Sequence, residues 1–379
     1  MSFADTILGP KGLIAQKLPG YEDRPQQLAM AQAVEMALDN DRHLVVEAGT
    51  GVGKSFAYLV PAIRRAVEGK PDDRPIVIST GTIALQEQLY GKDIPFLRSV
   101  WEQEFTAVLA KGRSNYVSLR RLHNAARTED KQGSGDMQRE LSRLKRWAES
   151  TEDGSKSSMD FTPSGEAWDA VVSSSDNCLG RACPNFETKC HYQRAKRRIY
   201  NANILVVNHA LLCADLALKA QGVNYLPDYR YLIIDEAHEL EPEQFKELRR
   251  LLNFRDPRGG KAYQVILLGR PELDINLRSS KDFNDRVATR SSLDPLAPDD
   301  TAALIEYRLL AAGRDGRQPP LFLPDAILPI WRETRGYPRS ICLLCLHLCL
   351  ELLVTGGSQI DEAFVMKFLE THSGYRQAE

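Results

Sequence analysis

The chain has 379 residues, 43% of them hydrophobic, enough for two or three domains built on an α/β core. Its net charge of -2 and pI near 6.4 exclude a globally basic nucleic-acid binder, while leaving room for local basic patches. Seven cysteines, unevenly clustered behind an N-terminus (MSFADTILGPKGLIAQKLPG) with no export signal, point to reduced thiols or metal ligands in a cytoplasmic protein. No apolar run is expected to span a bilayer, since Ile341–Val354 is short and carries His347 and Glu351.

Tyr21-Glu22-Asp23-Arg24-Pro25-Gln26-Gln27 leads into an amphipathic helix expected to end near Leu38. Tyr21, Arg24 and Gln27 suit an adenine, because an amide offers both donor and acceptor; helix capping is the other reading. Next comes HLVVEAGTGVGKS, His43 to Ser55. Leu44, Val45 and Val46 form a strand, Ala48 to Gly53 a glycine-rich turn, and Lys54-Ser55 open a helix. That order is the context a phosphate loop requires. Backbone N–H groups of Ala48, Gly49, Thr50, Gly51, Val52 and Gly53 can close around anionic oxygens. Lys54 would reach the β/γ-phosphates and Ser55 would hold Mg²⁺, with the helix N-terminus adding a favourable dipole. The chain is read as binding ATP.

Further short apolar runs, Ile76–Ser79, Phe105–Ala110, Ile204–Val207, Tyr231–Ile234 and Val265–Leu268, fit a parallel sheet buried on both faces. The stretch from about Val117 to Ile199 interrupts it and is expected to hold loops and short helices rather than core. It closes with Cys178, Cys183 and Cys190, then Arg194, Lys196, Arg197 and Arg198. Three thiols so close suggest a shared metal or cluster, with a structural zinc or unliganded cysteines as alternatives. Lys111, Arg113, Arg120, Arg121 and Arg194 to Arg198 could follow a phosphate backbone, or simply form a solvated face.

IIDEAHEL, Ile233–Leu240, places acids just past an apolar strand. Asp235 would support Mg²⁺ and Glu236 would polarise the attacking water, with His238 completing the box. The last hundred or so residues read as mostly helical. There Cys342, Cys345 and Cys349 make one helical stripe among leucines, read as core packing.

From Tyr21 to His238 the sequence resembles the DinG-type branch of the iron–sulfur superfamily 2 helicases. The carrying motifs are YEDRPQQLAMAQAV, EAGTGVGKS, VISTGTIALQEQL, KGRSNYVSLRRL, DNCLGRACPNFETKC, VVNHALL and DEAH. The resemblance implies base contact by Gln27, ATP hydrolysis driven by Asp235 and Glu236, single-stranded or forked DNA as partner, and a 4Fe–4S cluster on Cys178, Cys183 and Cys190. The family's first cluster cysteine falls at Ser118, and a serine oxygen is a poorer iron ligand than thiolate. The family's second RecA-like domain has no counterpart after His238. Instead, Tyr231 to Leu350 resembles the C-terminal half of ExeA/GspA-type AAA+ ATPases through LIIDEAHELEPEQFKELRRLLNF, QVILLGRPEL, SLDPLAPDDTAALIEYRLLAAG and RGYPRSICLLC. That implies a sensor-1-like Arg270, a sensor-2-like Arg339, Arg286 or Arg290 as a trans-acting finger, and assembly into a homo-oligomer. The expected fold is α/β, a P-loop NTPase with a RecA-like parallel sheet. Its expected parts are an ATPase core over 1–117 and 199–280, a cysteine insert over 118–198, and a helical AAA+-like lid over 281–379.

Overall fold

The computed structural model describes residues 2–18, 21–49, 53–69, 75–132, 135–253, 262–278, 289–293 and 295–372. Among these residues seven strands form: β1 (Leu44–Ala48), β2 (Ile76–Thr80), β3 (Ala107–Leu109), β4 (Ile204–Asn208), β5 (Tyr231–Ile234), β6 (Gln264–Gly269) and β7 (Thr289–Leu293). The chain divides into two compact units, Met1–Ala62 with Glu236–Glu239 and Val265–Glu379, and Ile63–Asp235 with Leu240–Gln264.

In the first unit β1 pairs in parallel with β6 and β7, Leu44 lying opposite both Ile266 and Thr289. Leu44, Val46, Ile266 and Leu268 are almost fully buried, as a strand covered on both faces demands. β7 is a departure from the helical segment expected there. Its sequence, TRSSL, is polar, and only pairing with β1 makes it a strand.

The C-terminal part of this unit is a helical body of Pro298–Ala311, Pro324–Thr334, Pro338–Thr355 and Glu362–Thr371. The first three each open on proline, whose fixed φ suits the first turn and whose missing N–H is not needed there. Ala326, Ile330, Ile341, Leu344, Leu348, Ile360 and Val365 form its water-free centre. Each large aliphatic side chain so buried contributes about 1.5–3 kcal/mol. Cys342, Cys345 and Cys349 pack partly buried against this core, as the stripe suggested. The helix Pro338–Thr355, by contrast, has 18 residues and a mean hydropathy of 1.6, with only 22% of it buried. By length and composition it could cross a membrane, which the shorter run Ile341–Val354 did not suggest.

In the second unit β2 pairs with β4 and β5, and β3 with β4, all in parallel. The insert is more ordered than expected. Leu119–Gln132, Gly135–Ser150, Gly165–Val171 and His191–Tyr200 are helices. Val117, Leu122, Leu141, Leu144, Ala167, Trp168 and Val171 give the first three a core of their own. The apolar residues that build it are spread thinly through a charged stretch, so no single window reveals it.

Candidate nucleotide-binding site

β1 ends at buried Ala48, and the helix Lys54–Glu68 starts as the glycine-rich turn closes. Thr50, Gly51 and Val52 lie outside the described residues. Gly53 has φ 82°, which only glycine adopts without penalty. The Lys54 ammonium donates to the Ala48 carbonyl at 3.3 Å, bringing its charge back to the end of β1. Ser55 follows, half-buried, in the helix's first turn.

Two neighbours hold the loop. Gln27 is buried and donates from Nε2 to the Gly53 carbonyl at 2.8 Å. Its helix, Pro25–Asp39, has Arg24 at the cap position without a side-chain cap bond, so Gln27 serves the loop and not the helix end. Arg24 reaches the same glycine, its Nη1 lying 3.4 Å from where a Gly53 Cβ would stand. The Tyr21 hydroxyl is spent on the Leu8 carbonyl. The second neighbour is Tyr337, whose ring edge would be 2.5 Å from a Cβ on Gly49. The GYPR sequence marks it only as a residue before proline, so its seat on the loop could not be read in advance. Arg339, two residues on, is exposed.

These contacts make a prediction. Gly53→Ala forces a left-handed φ, worth about 1–2 kcal/mol, and drives its methyl into the Gln27 amide. Fluorescent-nucleotide affinity should fall about tenfold or more. Wild-type affinity in that variant would show that the loop does not hold the ligand in this conformation.

Glu236 and His238 lie in the same unit as the loop. Glu236 has φ 55°, the left-handed region that non-glycine residues seldom occupy and that recurs at functional sites. His238 accepts from the Arg270 amide through Nδ1 at 3.4 Å, and its carbonyl accepts from Asn276 at 3.2 Å. Burial, then the nearby Arg270 and Lys54 cations, hold the imidazole below its ordinary pKa despite Glu239 and Glu272. It is therefore neutral near pH 7 and can accept a proton or a hydrogen bond. Arg270 thus meets the acidic box through its backbone, as a residue at the end of β6. Arg290 sits in β7 and is paired with Asp274, so it does not project as a loose finger; Arg286 lies outside the described residues.

In the second unit Asp235 is buried at the end of β5, its amide donating to the Ser79 carbonyl of β2 at 2.8 Å. Ser79 Oγ lies 2.7 Å from His209 Nδ1, at the start of the helix His209–Lys219. Here the VISTG and VVNHALL motifs come together beside the acid.

Cys178, Cys183, Cys190 and Ser118 line one cavity of about 30 Å³ in the insert. Among the described residues no three His, Cys, Asp or Glu side chains are gathered where they could hold a metal ion. The three cysteines thus share a cavity without being drawn to one point. The surrounding cations are largely engaged inside the protein. Lys111 binds Ser155 and Ser157, Arg120 the Asn177 carbonyl, Arg121 the Val172 carbonyl and Arg194 the Glu152 carbonyl. Arg113 lies over the Tyr192 ring, and Arg197 donates to the Glu187 carbonyl. Most of the basic residues singled out in the sequence brace the insert instead of forming a free strip.

A parallel sheet whose first strand runs through a glycine-rich loop into a Lys-Ser helix defines a P-loop NTPase fold. Residues 24–126 match the DEAD/DEAH box helicase family model, and residues 207–277 match an AAA domain. The chain is 38% identical to the ATP-dependent DNA helicase YoaA of Escherichia coli over 237 residues, 61% of this chain and 35% of that protein. It is 39% identical over 240 residues to the ATP-dependent helicase DinG of Mycobacterium tuberculosis, covering 59% of this chain and 35% of the relative. The chain thus spans about a third of the length of these relatives. Among solved structures, a DEAD box protein from Methanococcus jannaschii aligns over 82% of this chain and 62% of its own, at 15% identity and a TM-score of 0.42.

Proposed function

We propose that the chain is a helicase-type ATP hydrolase that binds ATP and Mg²⁺ and works with single-stranded or forked DNA in the cytoplasm. The observation that carries it is the Lys54 ammonium on the Ala48 carbonyl beside Gly53 at a left-handed φ, in a unit where Glu236 is held at a left-handed φ as well. Lys54 would neutralise the β/γ-phosphates, Ser55 would hold Mg²⁺ and Glu236 would orient the attacking water, while Asp235 is the acid that the helicase resemblance assigns to Mg²⁺. Gln27 and Arg24 would sense the nucleotide through Gly53, with Arg339 as the sensor-2 candidate. Residues 1–117 and 199–280 then form the ATPase core, 118–198 the insert and 281–379 the lid.

The test is ATPase rate with and without single-stranded DNA across a salt series. DNA-dependent turnover that falls with salt is expected, because binding phosphates releases counterions. The AAA match over residues 207–277 supports a second reading, an oligomeric ATPase. DNA-indifferent activity that rises with protein concentration would replace the first reading by that one.

A 4Fe–4S cluster is the finer proposal for the insert. Three thiols lining one cavity are the donor type such a cluster takes, though they would have to draw together to hold it, and the Gly180 N–H already donates to Cys178 Sγ at 3.3 Å. With Ser118 as fourth ligand, such a cluster would tie the loop 178–190 to the start of the helix Leu119–Gln132. Ser118 also lines the cavity, but its Oγ accepts from the Arg121 amide at 3.4 Å as a helix cap. Ser118→Cys should therefore raise iron per chain in anaerobically purified protein, at a capping cost of about 1 kcal/mol. Unchanged iron would remove Ser118 from the fourth corner, and colourless protein with one tight zinc would favour a structural metal.

A further inference from the structure

The C-terminal helical body contains a further cavity, of about 480 Å³, with no residue of the phosphate loop in its lining. That size is typical of a small-molecule site. Leu304, Ile305, Phe322, Ile341 and Leu346 give it apolar walls, and Cys342, Cys345 and Cys349 make up one side. Burial pushes all three thiols above their ordinary range, so they are neutral and behave as apolar lining. Arg308 and Arg339 are the charged residues among those lining it, and both are cations. Arg339 is exposed and makes no ion pair among the described residues. Arg308 has one, to Glu22 at 3.0 Å, but Glu22 is shared with Arg24 at 2.6 Å. An apolar chamber with two under-neutralised guanidiniums is built for an amphiphile with one negative head.

The same residues lead to the phosphate loop. Arg308 holds Glu22, Glu22 holds Arg24, and Arg24 touches the space beside Gly53. Pro338 lines the cavity, and Tyr337 before it packs on Gly49. We propose that this cavity binds a medium-chain organic carboxylate, its head on Arg308 and Arg339 and its chain among Leu304, Phe322 and Cys345, and that occupation weakens nucleotide binding. The coupling, though not the site, rests on the nucleotide reading above. A carboxylate that engages Arg308 leaves Glu22 to Arg24 alone. Glu22 then draws the Arg24 cation away from the loop, lowering the positive potential that the phosphates meet.

The experiment is calorimetry of decanoate against the full chain, with decanol as the neutral control. Decanoate should bind one to one and at least about tenfold tighter than decanol, and Arg339→Gln should erase most of that difference. Cys345→Phe should block binding by filling the chamber; should that variant not fold, Leu304→Phe serves instead. Decanoate should also slow maleimide labelling at Cys342 and Cys349 while leaving Cys178 and Cys183 unchanged. Equal binding of decanoate and decanol, or unprotected thiols, would overturn the site. For the coupling, saturating decanoate should weaken fluorescent-ATP binding about fivefold, and ATP should weaken decanoate binding by the same factor. Decanoate binding without that shift would overturn the coupling. A chain that binds no nucleotide at all would refute the ATPase reading, while the decanoate and labelling results still judge the cavity.

Discussion

Replacing Lys54 with alanine is expected to abolish ATP hydrolysis, and Glu236→Gln to keep ATP binding while stalling turnover. The lysine already turns back to the end of β1, with its ammonium on the Ala48 carbonyl at 3.3 Å. A triphosphate would replace that neutral acceptor by anionic oxygens, and hydrogen bonds to charged groups contribute about 1.5–3 kcal/mol each. The developing charge of the transition state adds more, since one lost electrostatic donor typically costs about 10²–10³ in turnover. Glu236→Gln is nearly isosteric and asks the same left-handed backbone of its side chain, so the fold should not change. What it removes is the carboxylate that orients and polarises water. Turnover should drop by about 10² or more, with nucleotide affinity within a few-fold of wild type. Steady-state hydrolysis and fluorescent-nucleotide binding on both variants check this. Wild-type rates in both would remove the ATPase assignment.

The largest stability effect is expected at Asp215, which no motif marks. It is fully buried in the helix His209–Lys219 and lies 3.6 Å from Lys219, itself almost buried. Its carboxylate also accepts from the Tyr225 and Leu226 amides at 3.1 and 2.8 Å and from the Tyr229 hydroxyl at 3.2 Å. Lys219 lies over the Tyr229 ring, 4.0 Å from its centre. Burial pushes the Asp215 carboxyl up and the Lys219 ammonium down, so each charge is tolerable only because the other is there. Asp215→Ala would strand the cation and three donors, and breaking a buried pair from one side costs about 3–5 kcal/mol. The segment released, Tyr225 to Tyr229, feeds directly into β5 and so into Asp235. Urea unfolding should show that loss, with Asp215→Asn recovering part of it through the remaining acceptor. A change under about 1 kcal/mol would mean that water reaches the pair and screens it.

The strand–loop–helix at β1, the apolar strands β2, β4, β5 and β6, and the helical character of the C-terminal part were legible in the sequence. Each depends on neighbours within one window: an apolar run long enough for a strand, a glycine cluster before Lys-Ser, a helical spacing of apolar residues. The acidic box was legible for the same reason, as acids directly after a buried strand. What the tertiary structure alone decided is where distant groups meet. β7 is polar and becomes a strand only because β1 offers it a free edge. The insert acquires a core because apolar residues on separate helices converge. Lys111, Arg120, Arg121 and Arg194 read as free cations along the chain, yet each finds a carbonyl or hydroxyl across a fold that places it there. Tyr337 reaches Gly49, and Arg308 reaches Glu22, across nearly the whole chain. A side chain's charge or ring carries no sequence period that names its partner; that choice is made by which backbones the buried strands and helices bring together.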